Sequence, residues 1–153
     1  MGGVSKSTLE PGAPFDGTWT GVVSTANNGG FAGIRTKLFK TPFDLSSCAG
    51  VVIRLRGDGQ RYKLILRDDA DWNGIAWSHS LLTRPNKTVE YKIPFALFKP
   101  TKFARVLANF RPFDQTQLTG FQLSLSKFEY DGGLNGEFRE GGFQLNVESI
   151  GTY

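Results

Sequence analysis

The stretch "VVIRLRGDGQRYKLILRD", residues 51–68, carries the clearest fold information in the chain. Apolar and basic residues alternate on both sides of Asp58-Gly59. That period of two belongs to a β-strand with one buried face, and Asp-Gly between two such runs is a hairpin signal. The register of that hairpin sets Gly57 against Gln60, Arg56 against Arg61, Leu55 against Tyr62, Arg54 against Lys63 and Ile53 against Leu64. Val51, Ile53, Leu55, Tyr62, Leu64 and Leu66 then share a core face. The other face gathers Arg54, Arg56, Arg61 and Lys63, with Arg67 beyond. Like charges directly opposite one another on a sheet repel, so the set must be neutralised. Acids of neighbouring strands such as Glu148 would do this within the fold. An acidic protein surface, an RNA backbone or anionic lipid headgroups would do it from outside.

The same pattern extends along the chain. Strands are predicted over 16–24, 31–37, 51–57, 60–67, 74–82, 88–93, 121–127 and 143–150, each bounded by Gly, Pro, Asn or Asp. Phe121, Leu123 and Leu125 fall on one face of their strand, and Gln122, Ser124 and Ser126 on a wet one. "PFALFKP" (94–100) reads as a short turn packed by Phe95 and Phe98. Helical periodicity is almost absent. Many short strands with Gly-rich turns point to an all-β, mostly antiparallel sandwich of jelly-roll type.

Composition narrows the function classes. The 153 residues suit a single domain with one core, and 13 of them are phenylalanine. A net charge of +4 is mild for a dedicated nucleic-acid binder. One cysteine, Cys48, precludes an internal disulfide and fits a reducing compartment. One histidine, His79, leaves no Cys/His zinc set, and a Cys–His nucleophilic pair would require these two to converge. No apolar run approaches the roughly 20 residues of a helical membrane span. No enzyme is expected.

Several stretches in succession resemble the complex I intermediate-associated protein family: "MGGVSKS" (1–7), "FDG" (15–17), "NNGGFAGIRT" (27–36), residues 43–68, "IPFALFKPT" (93–101) and residues 123–150. "SKFEYDGGLN" (126–135) is more similar to the version found in oxygenic phototrophs. The resemblance implies a galactose-binding-like β-sandwich, a fold shared with carbohydrate-binding modules. It also implies a non-enzymatic module that assists assembly or stability of a membrane electron-transfer complex, a photosystem or respiratory complex I. Protein subunits of that complex would be the partners, in a chloroplast or cyanobacterial interior or in the mitochondrial matrix. The alternatives are a carbohydrate-binding module and a resident structural subunit of such a complex. In the family "MGGVS" follows a first strand, so the parent protein is expected to supply a strand before Met1, leaving an irregular edge near residues 3–10.

Candidate contact residues follow from residue type and place. The basic set is Arg35, Arg54, Arg56, Arg61 and Lys63. Asn27 and Asn28 sit in a turn whose "NNGG" supplies positive backbone φ, and Trp72 sits at a loop tip. Trp77 shares strand parity with Ile75 and Leu81 and reads as core. "DADWNG" (69–74) opens like a calcium loop, with Asp69, Asp71 and Asn73 as candidate ligands, yet the twelfth position is Ser80 where such loops carry Glu. A solvated Asp/Asn turn is the simpler reading, and no cofactor is otherwise implied.

Overall fold

A computed structural model describes residues 3–11 and 17–153. Two antiparallel sheets face each other. The first has five strands in the order β1 (Lys6–Pro11), β2 (Gly17–Val23), β11 (Gly141–Thr152), β4 (Gly50–Arg56) and β7 (Thr88–Pro94). The second has six, in the order β3 (Phe31–Arg35), β10 (Gly120–Ser126), β5 (Arg61–Arg67), β6 (Ala76–Leu82), β8 (Lys99–Lys102) and β9 (Arg105–Val106). The protein is an all-β sandwich, as the alternation predicts. Among the described residues no helix is long and apolar enough to cross a membrane.

All eight predicted strands are present, with ends shifted by up to two residues. Inward side chains of both sheets meet in one core, where Trp19, Ile53, Leu55, Tyr62, Leu64, Leu81, Leu125 and Leu145 are fully buried. Trp19 packs edge-on to Phe143 and Tyr62, with ring centroids 4.8 and 6.0 Å away. Trp77 is core, as its parity indicates. Phe95 and Phe98 are buried beneath the short 3-10 turn Phe95–Leu97.

The hairpin at Asp58-Gly59 does not form. β4 pairs with β11 and β7, whereas β5 pairs with β10 and β6, so residues 57–60 carry the chain from one sheet to the other. The expected inward faces hold, because period-two alternation fixes faces whatever strand lies alongside. The pairing fails for a backbone reason. The type I′ turn needs positive φ at both central residues, and here only Gly59 has it, at 93°. The Asp58 carboxylate instead accepts from the Gln60 backbone N–H, the Tyr62 hydroxyl and the Gln144 backbone N–H, each at 3.1 Å. The crossover also removes the like-charge pairs. Arg54 lies opposite Glu90 and Ser149, Arg56 opposite Thr88 and Asn146, and Lys63 opposite Ser124 and Ser80.

A second expectation also fails. β1, at the edge of the five-stranded sheet, is regular and pairs with β2 over six consecutive residues. Met1 and the strand expected before it lie outside the described residues.

Candidate binding groove

β5 is buried on both of its faces. Tyr62, Leu64 and Leu66 enter the core, yet the outward-facing Lys63, Ile65 and Arg67 are at most 9% exposed. On the neighbouring strands the outward Ser124 and Ser78 are each 3% exposed. The predicted wet face of β10 is therefore largely covered. Loops rise around this face and leave a groove of about 510 Å³. Asn28–Gly30, residues 72–74, residues 103–104 and residues 127–130 wall it.

Local backbone geometry sets the first wall. Asn27 and Asn28 adopt φ of 54° and 59°, and Gly30 adopts 97°. The Gly30 N–H donates to Ser24 O at 2.6 Å, closing the turn that returns the chain into β3. "NNGG" is thus spent on making a wall, and Asn28 contributes to the lining.

Cations occupy the groove and aromatic rings hold them. The Arg35 guanidinium lies 4.4 Å from the Trp72 ring centroid, and that of Arg67 lies 5.5 Å from it. Lys63 and Lys99 each place Nζ 4.6 Å from the Tyr130 ring, and Lys127 sits 5.2 Å from that of Phe128. Lys63 Nζ also donates to the carbonyls of Phe128 and Glu129. Burial pulls the Lys63 pKa below its ordinary value, and Glu129 opposes this. Burial likewise lowers that of Arg67; Arg35 adds to the lowering, while Asp69 and Asp71 oppose it. Arg67 Nη1 donates to Gly74 O at 3.1 Å, but its buried Nε has no partner. Four lining residues are cationic, namely Arg35, Lys63, Arg67 and Lys127, and none is Asp or Glu.

The structure sorts the predicted contact residues. Arg35, Lys63, Asn28 and Trp72 come together in the groove. Arg61 shares the outward face but is bound by Glu137 at 3.0 Å. Arg54 and Arg56 belong to the other sheet, so the single basic face is corrected to two. Arg54 meets Glu90 at 3.4 Å and Glu148 at 3.6 Å, the latter being the neutralising acid anticipated from sequence. Arg56 borders a separate depression beside Asp58 and Asn146. Asn27 is exposed next to the groove wall.

Asp69 and Asp71 cap their own loop. Asp69 Oδ1 accepts from the Asp71 N–H at 2.6 Å, and Asp71 Oδ1 accepts from the Asn73 N–H at 2.8 Å. Among the described residues no three His, Cys, Asp or Glu side chains gather in a way that could hold a metal ion. Asn73 lines the groove. His79 Nδ1 lies 3.3 Å from Leu97 O with its ring near Phe98, and Cys48 is half-buried against the core.

Several groove residues, Arg67, Lys127 and Tyr130 among them, are not among the predicted contacts. Arg67 falls on the basic face beyond Lys63 but outside the contact set, although it is the next outward position after Lys63 and Ile65. Tyr130 follows no periodic pattern, and only the loop's return over β5 and β6 reveals it.

A family model for complex I intermediate-associated protein 30 (CIA30) matches residues 1–147. The chain belongs to the CIA30 family. No curated protein sequence matches it. Solved structures similar to this CIA30 chain include the family 11 carbohydrate-binding module of the cellulosomal cellulase Lic26A-Cel5E of Clostridium thermocellum. That match has a TM-score of 0.60 at 12% identity, over 96% of this chain and 82% of the other. The agarase AgWH50C matches with a TM-score of 0.59 at 9% identity, over 97% of this chain but 22% of the enzyme. PfGH50B gives a TM-score of 0.56 at 11% identity, over 97% of this chain and 22% of the other. At such identities the likeness shows a shared sandwich fold.

Proposed function

We propose that this CIA30 domain is a non-enzymatic protein-interaction module that assists assembly or stability of a membrane electron-transfer complex, and that it holds its partner in the groove. Family membership supports complex I proteins as the class of partner, and the resemblance of residues 126–135 to the phototroph version makes a photosystem the alternative. The site of action follows the complex: the mitochondrial matrix, or a chloroplast or cyanobacterial interior. One observation carries the choice of surface. The groove floor is sheet, and three of its four lining cations already stack on Trp72 or Tyr130. Preorganised charge of this kind lowers the ordering cost of binding. The role calls for no cofactor.

The test is co-purification. The tagged full-length protein is isolated from solubilised membranes of its host, and retained proteins are identified by mass spectrometry. Subunits of one electron-transfer complex should be enriched with the wild type and lost with Trp72→Ala. Equal recovery with both proteins would place the interaction elsewhere, and no enrichment would remove the assembly role.

A carbohydrate-binding module is the second reading. It is favoured by the fold of the family 11 module and by the presence of Trp72 and Tyr130 in the groove. Retention on a glycan array, lost with Trp72→Ala, would support it over the first.

A further inference from the structure

We infer that the groove takes an acidic peptide segment flanked by apolar side chains, its carboxylates on Arg67 and Arg35 and its apolar groups against Phe31, Phe103 and Phe128. This rests on the groove being the partner-binding surface. Three observations lead to it.

The first is charge. Four cations line the groove without one carboxylate. The nearest acids lie outside the lining: Asp69 and Asp71 cap their turn, and Glu129 accepts from Ser80 through Oε2 at 2.6 Å while its buried Oε1 has no partner. Asp69 and Asp71 act on Arg67 and Glu129 on Lys63 from outside the lining, so the groove charge is offset only in part and no carboxylate pairs with it directly.

The second is Arg67. Its side chain is more than nine-tenths buried on the groove floor, with one hydrogen bond to Gly74 O and an unpartnered Nε. A buried guanidinium with spare donors is costly unless an acceptor arrives, and a carboxylate matches its fork.

The third separates peptide from sugar. A pyranose stacks on a bare aromatic face, yet Trp72 and Tyr130 each already hold two cations. The aromatics that hold no cation are phenylalanines, Phe31 at 44% exposed and Phe103 at 81%, and Phe128, 41% exposed, carries only the more distant Lys127. Such a rim suits apolar side chains.

The test measures binding of the full chain to four fluorescent probes. They are a short peptide of alternating Glu and Leu, its Gln–Leu counterpart, single-stranded oligouridylate and oligogalacturonate. The Glu peptide should bind at least tenfold more tightly than the Gln peptide, and its affinity should fall with added salt. Arg67→Met and Arg35→Gln should each weaken it about tenfold, the loss expected for one charge-assisted contact. Phe103→Ser should weaken both peptides. If Arg67→Met fails to fold, the exposed Arg35→Gln and the half-buried Lys127→Gln carry the measurement. Equal binding of the Gln peptide, indifference to the Arg variants, or binding of only the RNA or the uronate would overturn the inference.

The two proposals fail differently. Binding of the Glu peptide without recovery of electron-transfer subunits removes the assembly role and keeps the acidic ligand. Groove-dependent recovery of subunits that the Glu peptide neither binds nor competes with keeps the role and removes the acidic ligand.

Discussion

Arg111 grips Asp68 with two nitrogens, Nη1 to Oδ2 at 2.6 Å and Nη2 to Oδ1 at 3.1 Å. The Asp68 side chain is wholly buried, and it also accepts from the Asp114 N–H at 3.0 Å. The pair pins the segment after Phe110 to the end of β5, next to the groove. Burial alone would raise the Asp68 pKa. Arg111 and the Asp114 N–H outweigh it and hold the carboxyl below its usual value, and the Trp77 indole adds to the lowering without meeting hydrogen-bond geometry.

The sign of the pH dependence follows. A folded pKa below the unfolded one gives stability that is present above about pH 4 and lost as pH falls through the folded value. Arg111→Met removes the stronger partner and leaves a buried carboxylate underpaired, at a cost of about 1–3 kcal/mol near neutral pH. Urea denaturation at several pH values checks both. The wild type should lose stability in acid. The variant should start lower and lose less, because Asp68 would then favour its protonated form.

Arg54 and Arg56 stand on the sheet opposite the groove, and Arg54 is held by the exposed Glu90 and the half-buried Glu148. Changing both to Gln should leave ligand binding unaltered and shift stability by less than about 1 kcal/mol. Calorimetric titration with the Glu–Leu peptide, beside a melting curve, measures the two effects. A marked loss of affinity would return the interface to the five-stranded sheet.

Trp72 is a shelf for Arg35 and Arg67. Trp72→Ala should cost about 1 kcal/mol of stability, the scale of partly exposed cation–π contacts, and weaken binding further by freeing both guanidinium groups. Trp72→Phe should recover part of the affinity. Unchanged binding in the Ala variant would show that the ring does not position the cations.

The Asn-Gly turn admits a graded test. A Cβ on Gly29 would fall 2.4 Å from Ser24 O and 2.8 Å from Ala26 O, both backbone atoms that cannot step aside. A Cβ on Gly30, at φ 97°, would fall 2.5 Å from the Lys127 stem. Gly29→Ala and Gly30→Ala should each cost about 1–3 kcal/mol, and Gly30→Ala should also push Lys127 out of the groove. Asn27→Gly, at φ 54°, should be nearly neutral. Thermal melts of the three variants give the order directly.

The faces of this fold were legible because each strand declares its own. Val51, Ile53 and Leu55 point inward in any register, and so do Tyr62, Leu64 and Leu66. Partnership was not legible at residues 57–60, where a local turn signal competed with the Asp58 contacts to Tyr62 and Gln144. β1, all of whose residues are exposed, and the short β8 and β9 carry no apolar period to read. The groove was half legible. Arg35, Lys63, Asn28 and Trp72 stood out by residue type, whereas Ser124 was expected on a wet face and is buried because loops distant in sequence cover it.

The strand order has a consequence for biosynthesis. β11 is the last strand of this sandwich to be made, yet it lies at the middle of its sheet and bridges β2 to β4. While the ribosome is still adding residues 141–152, the earlier strands of that sheet expose unpaired edges and apolar faces with nothing between them. Loop closure between residues so far apart in sequence also slows folding. The sandwich therefore cannot close until residues 141–152 have been made. Until then Trp19 lacks the ring of Phe143 that packs edge-on against it in the finished core.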